Sequence, residues 1–199
     1  MPLKKKSPKR YKIKENIINM LIVGVGGQGV VLAADIVSLA FVKAGYDVKM
    51  SASYGMAQRG GSVVAHIRIG KKIYSPLVAR GEADIIMAME LREGYRYAEY
   101  LRKSGLIMLL DNGSELLKGE IRKTCRRVLE ISYKEIMRDF KNIKPANVFM
   151  LGALSNYFSI KKRYWVEAIK EKVPLYFRDL NLSAFEKGKK KFSLGLLCS

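Results

Sequence analysis

A glycine-broken apolar run near the start of the chain limits its fold more than any other feature. Leu21-Ile22-Val23-Gly24-Val25-Gly26-Gly27-Gln28-Gly29 passes from a strand-like stretch into the small-residue helical pattern of Val30 to Ala44. A strand, a glycine turn and a helix N-terminus in that order gather backbone N–H groups around one point where an anion can sit. Gly24, Gly26 and Gly29 fit G-x-G-x-x-G, although such glycines also serve simply to pack a strand tightly against a helix.

The usual companions of that motif are missing. A nicotinamide dinucleotide site expects an acid about 20 positions on, at the end of the second strand. The second strand candidate, 46–53, ends in Met50-Ser51-Ala52-Ser53 and has its only acid, Asp47, near its start. NAD binding is therefore disfavoured. No Lys-Ser/Thr pair follows Gly29, so a P-loop nucleotide triphosphatase is disfavoured too.

Beyond the turn, periodicity predicts an α/β fold. Strands are expected at 17–25, 46–53, 63–69, 73–77, 83–88, 106–111 and 126–131, and helices at 28–44, 90–103, 133–140, 148–158, 163–172 and 182–191. This is a Rossmann-like, mostly parallel sheet with helices on both faces. A β-hairpin inserted through the turn Gly70-Lys71-Lys72 and a helical C-terminal portion complete it. Residues 1–15 read as a basic flexible segment and 16–199 as a single domain.

Charge is unusual: 37 Lys and Arg against 18 Asp and Glu give +19. Much of the excess lies in Lys4, Lys5, Lys6, Lys9, Arg10, Lys12 and Lys14, and in Lys187 and Lys189 to Lys191. Such runs suit acidic protein partners or nucleic acid, but no helix-turn-helix, zinc-finger or aromatic RNA-binding motif accompanies them. There is no apolar run of membrane-spanning length, and a cytoplasmic location is expected. The two cysteines, Cys125 and Cys198, lack metal-ligand spacing, so this chain alone builds neither a disulfide framework nor a zinc or iron–sulfur site.

A second glycine-rich segment, Ser53-Tyr54-Gly55-Met56-Ala57-Gln58-Arg59-Gly60-Gly61-Ser62-Val63, surrounds a Gln-Arg pair with three glycines. Backbone amides and a guanidinium there could approach an anionic or carbonyl-bearing group; alternatively, the segment is a crossover loop with Arg59 in water. Several other residues read as structural. His66 lies on the polar side of a strand, Glu90 and Asn147 are candidate helix caps, Cys125 is a passive thiol, and Met87, Met89, Met108 and Met150 are core. Trp165 suits either a core or an interface.

The two loops together resemble the gamma-type subunit or domain of 2-oxoacid:ferredoxin oxidoreductases. Within that family they are most similar to the beta subunits of indolepyruvate ferredoxin oxidoreductases. The resemblance continues through Ile67-Arg68-Ile69-Gly70, Tyr74-Ser75-Pro76-Leu77, Gly81-x-Ala83-Asp84, Glu90, Asn147 to Leu154 and Asn181 to Gly188, covering about residues 17–190. Tyr54 stands where His is common and Ala57 where Ser is usual.

The resemblance implies a subunit of a complex that decarboxylates a 2-oxoacid, here indolepyruvate or another aryl pyruvate, to the aryl-acetyl-CoA while reducing ferredoxin. Thiamine diphosphate, magnesium and iron–sulfur clusters are expected in a larger alpha subunit, with coenzyme A as co-substrate and ferredoxin met through the hetero-oligomer. The isolated chain is expected to be inactive and to bind no cofactor. No residue is assigned a chemical step. Gly26, Gly27, Gln28 and Gly29 are expected to cradle an anion such as coenzyme A or to dock the partner, and Gln58 and Arg59 to contact substrate or coenzyme A. The alternatives are a stand-alone nucleotide-binding protein and a basic nucleic-acid-binding protein.

Overall fold

The computed structural model describes residues 11, 17–55, 60–141 and 143–193. Strands β1 (Ile18–Val25), β2 (Asp47–Tyr54), β3 (Ser62–Gly70), β4 (Ala83–Ala88), β5 (Leu101–Asp111) and β6 (Val128–Ser132) form one sheet in the order β2-β3-β1-β4-β5-β6. Only β3 runs against the others, pairing antiparallel with both β1 and β2. Pairings β1–β4, β4–β5 and β5–β6 are parallel.

Seven helices cover the sheet: α1 (Val30–Lys43), α2 (Leu91–Tyr97), α3 (Glu115–Thr124), α4 (Tyr133–Phe140), α5 (Ala146–Ser155), α6 (Lys162–Lys172) and α7 (Arg178–Lys191). Alternate residues of the inner strands β3, β1, β4 and β5 feed two separate cores, as the two-residue strand period requires. Met20, Ile22, Ile85, Met87 and Met108 pack with α1, α5, α6 and α7; Leu21, Val23, Ile86, Ala88 and Leu109 pack with α2 and α3. All ten residues of α5 are buried, because this helix is apolar around its whole circumference and α7 covers its outer side.

Three elements differ from the sequence expectation. The hairpin is β2–β3, with the second glycine loop as its connection, and 73–77 is not a strand. Pro76 removes a ladder donor there, and Ile73 instead donates its N–H to Asp47 Oδ2 (2.7 Å). Helix α2 stops at Tyr97, passes into a single 3-10 turn (Ala98–Tyr100) and gives way to β5 at Leu101, five residues before the expected strand start. Gly105 allows this early start, since a Cβ there would meet Leu101 at 2.7 Å and the Ala83 carbonyl at 3.0 Å. Helix α3 was not anticipated at all.

At the amino end of the sheet, buried Asp84 accepts from Asn19 N (2.9 Å) and pairs with Arg102, while burial still holds its carboxyl above the usual range. Tyr11 is pinned at the same end, donating its N–H to the Tyr157 carbonyl (2.8 Å) and its hydroxyl to the Asp84 carbonyl (3.0 Å).

Helices α5 and α7 meet through facing glycines. A Cβ on Gly188 would lie 2.0 Å from the Phe149 carbonyl oxygen, and one on Gly152 would lie 2.1 Å from the Phe185 carbonyl oxygen. Alanine at either position must push backbone from backbone. We expect Gly188→Ala to cost about 3 kcal/mol, lowering Tm by roughly 6–12 °C in a chain of this size. Gly119→Ala, in a helix interior where a Cβ meets nothing within 4 Å, should instead stabilise by about 0.5–1 kcal/mol. Thermal unfolding of the two variants measures both.

Candidate functional site

The connections part at the carboxyl ends of the parallel strands β1 and β4: α1 leaves β1 toward one face and α2 leaves β4 toward the other. A cleft opens where successive connections diverge in this way. A cavity of about 330 Å³ lies there, lined by Gly27, Gln28, Met89, Glu90, Asn112 and Asn147 among others, with Tyr133 and Lys144 contributed from α4 and the approach to α5.

The first glycine turn forms one wall. Gly27 (φ 91°) and Gly29 (φ 76°) occupy left-handed backbone that a side chain would strain, and Gly29 caps the N-terminus of α1. Gln28 folds back on the turn: its N–H donates to the Val25 carbonyl (3.2 Å), and its Oε1 accepts from Val25 N (3.0 Å). Gly24 must be glycine for the same reason, since a Cβ would stand 2.6 Å from that Oε1.

The second loop returns to the first. Gly26 N–H donates to the Gly61 carbonyl (2.9 Å), and Gly55 N–H closes the hairpin on the Ser62 carbonyl (2.7 Å). Ser62 Oγ then donates to Glu93 Oε2 (2.5 Å), a buried carboxylate on α2. Both glycine segments therefore lie along one edge, as their positions after strands suggest. Gln58 and Arg59 lie outside the described residues.

Asn147 links the turn to the core. It is not the cap of α5, which begins at Ala146; its Nδ2 donates to the Gly29 carbonyl (3.3 Å) and its Oδ1 accepts from Val148 N (2.8 Å). A Cβ on Gly29 would collide with that Nδ2 at 2.3 Å. Asn147 is thus a positioning residue, which its place before a helical run does not disclose.

Glu90 does cap α2, accepting from Glu93 N (3.1 Å). Beside the cleft, Asp111 ends β5. Burial would raise its carboxyl pKa, but the Lys118 ammonium (2.8 Å), the Gly113 N–H (2.8 Å) and nearby Arg122 hold it below the usual range. Lys118 is itself buried and also pairs with Glu115 (2.5 Å), so the cluster fastens α3 to the sheet. Burial pushes the Cys125 thiol up, consistent with a passive role, and Trp165 is a core residue stacked on Phe185. Among the described residues, no group of three or more His, Cys, Asp or Glu side chains could hold a metal ion, and no helix is long and apolar enough to cross a membrane.

The site also departs from a dinucleotide fold in its topology. Because β3 lies between β1 and β2, the end of β2 stands two strands, or about 10 Å, from the glycine turn. An acid at that end would be remote from a ribose held on the turn, and the end carries none.

The residues from 19 to 191 match the family model described as pyruvate ferredoxin/flavodoxin oxidoreductase. This chain belongs to that family. The indolepyruvate oxidoreductase subunit IorB of Archaeoglobus fulgidus is 35% identical over 190 residues, covering 86% of this chain and 93% of the relative. Its counterpart in Thermococcus kodakarensis is 34% identical over 198 residues, covering 89% and 98%. Among solved structures, the keto/oxoacid ferredoxin oxidoreductase gamma subunit from Geobacter sulfurreducens superposes with a TM-score of 0.67 at 23% identity, covering 88% of this chain and 98% of that one. The 2-oxoglutarate:ferredoxin oxidoreductase from Magnetococcus marinus, solved with 2-oxoglutarate, coenzyme A and succinyl-CoA, reaches 0.74 at 20% identity. It matches over 90% of this chain but only 31% of its own length. The expected mixed, mostly parallel α/β fold is the fold of these gamma subunits. Homology thus makes the chain a subunit of a 2-oxoacid:ferredoxin oxidoreductase.

His66, the single histidine of the chain, accepts the Val78 N–H at Nδ1 (3.1 Å) and meets Tyr100 edge-on. Its role is to hold the segment after β3. Burial lowers its pKa, so the unfolded chain takes up a proton first as pH falls. The stabilisation is complete above the unfolded value of about 6.5 and is lost as pH drops from there through the folded pKa. Urea unfolding at pH 7.5 and 5.5 is expected to show this loss, and His66→Asn, which keeps an acceptor, should flatten it.

Proposed function

We propose that this chain is the non-cofactor subunit of an indolepyruvate-type enzyme. In this reading the complex oxidatively decarboxylates an aryl pyruvate to its aryl-acetyl-CoA and passes the electrons to ferredoxin. The observation that carries the proposal is the pair of IorB relatives, each matched over nearly its full length at about one-third identity. A larger companion chain supplies thiamine diphosphate, magnesium and the iron–sulfur clusters, and the bound thiamine provides the carbanion chemistry of decarboxylation. The reading places the complex in the cytoplasm.

This chain binds and orients. Of the four turn amides, those of Gly26 and Gln28 are engaged by Gly61 and Val25. The anion cradle therefore narrows to the N–H groups of Gly27 and Gly29, at the positive end of α1. Gln28 acts by stiffening the turn. Gln58 and Arg59, carried by the loop that Gly60 and Gly61 return to Gly26, contact substrate or a coenzyme A phosphate, Arg59 through its fixed fork of donors.

The complex co-expressed with its companion chain is expected to reduce viologen with indolepyruvate in preference to pyruvate or 2-oxoglutarate, and the isolated chain to give no turnover. Arg59→Ala should lower kcat/KM of the assembled complex about 10–100-fold, the worth of a lost charged hydrogen bond. Unchanged kinetics would remove Arg59 from the site. Equal or better turnover of pyruvate would reassign the substrate.

A further inference from the structure

Between α6 and α7 the chain makes a single 3-10 turn, Leu175–Phe177, that faces outward. Leu175 is 76% exposed, Tyr176 90% and Phe177 40%, making three consecutive large apolar side chains in water. The turn is built to stay that way. Pro174 precedes it and accepts from Phe177 N (2.9 Å), Arg178 Nε donates to the Val173 carbonyl (3.1 Å), and Asn181 Nδ2 donates to the Phe177 carbonyl (2.8 Å). Tyr176 and Phe177 meet edge to face with centroids 5.0 Å apart.

We propose that this knuckle anchors the larger companion chain by inserting into an apolar pocket rimmed by Asp and Glu. The inference rests on the subunit reading above. Rigid exposed aromatics lose little conformational entropy on burial and dominate binding energy where they occur. The charge around the knuckle selects the partner. Lys170 and Lys172 are exposed on the last turn of α6 and Arg178 opens α7; against them stand Glu171, already paired with Lys43 (3.0 Å), and exposed Asp179, which leaves the surround net positive. A chain of net charge +19 repels a second copy of itself and attracts an acidic surface.

The knuckle is also remote from the glycine turn. The Lys43–Glu171 pair brings the C-terminal ends of α1 and α6 together, so Leu175–Phe177 lies toward the amino end of the sheet. Assembly and chemistry can therefore be separated by mutation.

The test measures the Kd for the purified companion chain by calorimetry at two salt concentrations. The double variant Leu175→Ser/Tyr176→Ser is expected to raise Kd at least about tenfold, with the isolated variant keeping its Tm. Complex assembled at saturating variant should turn over indolepyruvate at the wild-type kcat. Lys172→Glu should weaken binding and reduce its salt dependence. An unchanged Kd in the double variant overturns the proposal. So does loss, in that variant, of concentration-dependent self-association or of binding to phosphatidylserine vesicles while companion affinity persists. Failure of the wild-type chain to bind the companion overturns the subunit reading itself, and this proposal with it.

Discussion

The hydrogen bond from Gly26 N to the Gly61 carbonyl depends on one topological choice, the antiparallel strand β3 set between β1 and β2. If β2 lay beside β1, as in a dinucleotide fold, the turn after β1 would face the end of β2. Here it faces the start of β3 instead. Two glycine segments, bonded through residues thirty-five apart in sequence, thereby share one edge, and Ser62 fixes the second to α2 through Glu93. The cleft lies where the first of those segments meets the ends of β4 and β5.

Glycine placement makes the packing possible as much as the turns. Gly152 and Gly188 let α5 and α7 approach until backbone touches backbone, which buries α5 on all sides. Both lie in the segments of family resemblance at Asn147 to Leu154 and Asn181 to Gly188. There the resemblance reflects helix contact, and at Asn147 it reflects a tie to the glycine turn.

The sequence made the alternation legible because strand and helix periods differ sharply in residues such as Ala83 to Ala88 and Tyr133 to Phe140, whose bounds match the structure. It hid α3, where Gly119 interrupts the helical pattern and the inward face carries Lys118 beside Ile121 and the half-buried Leu117. A buried lysine is invisible to hydrophobic periodicity; its partners Asp111, Glu115 and Glu130 come from three different elements. The misplaced hairpin has a similar cause. Local turn chemistry at Gly70-Lys71-Lys72 is plausible, but pairing is settled by the eight-residue register between β2 and β3, a non-local match. The cleft was legible as a turn, while Asn147's contact with it, 118 residues away in sequence, was not.

That contact has a dynamic consequence. Asn147 belongs to the helix most deeply enclosed by the protein, so the Gly29 carbonyl cannot swing away without disturbing the core. The turn is therefore held more firmly than an ordinary surface loop, and its bonded Gly26 and Gln28 amides exchange more slowly than those of Gly27 and Gly29. Whatever binds there meets a wall anchored in the core, so most of the accommodation falls to the ligand.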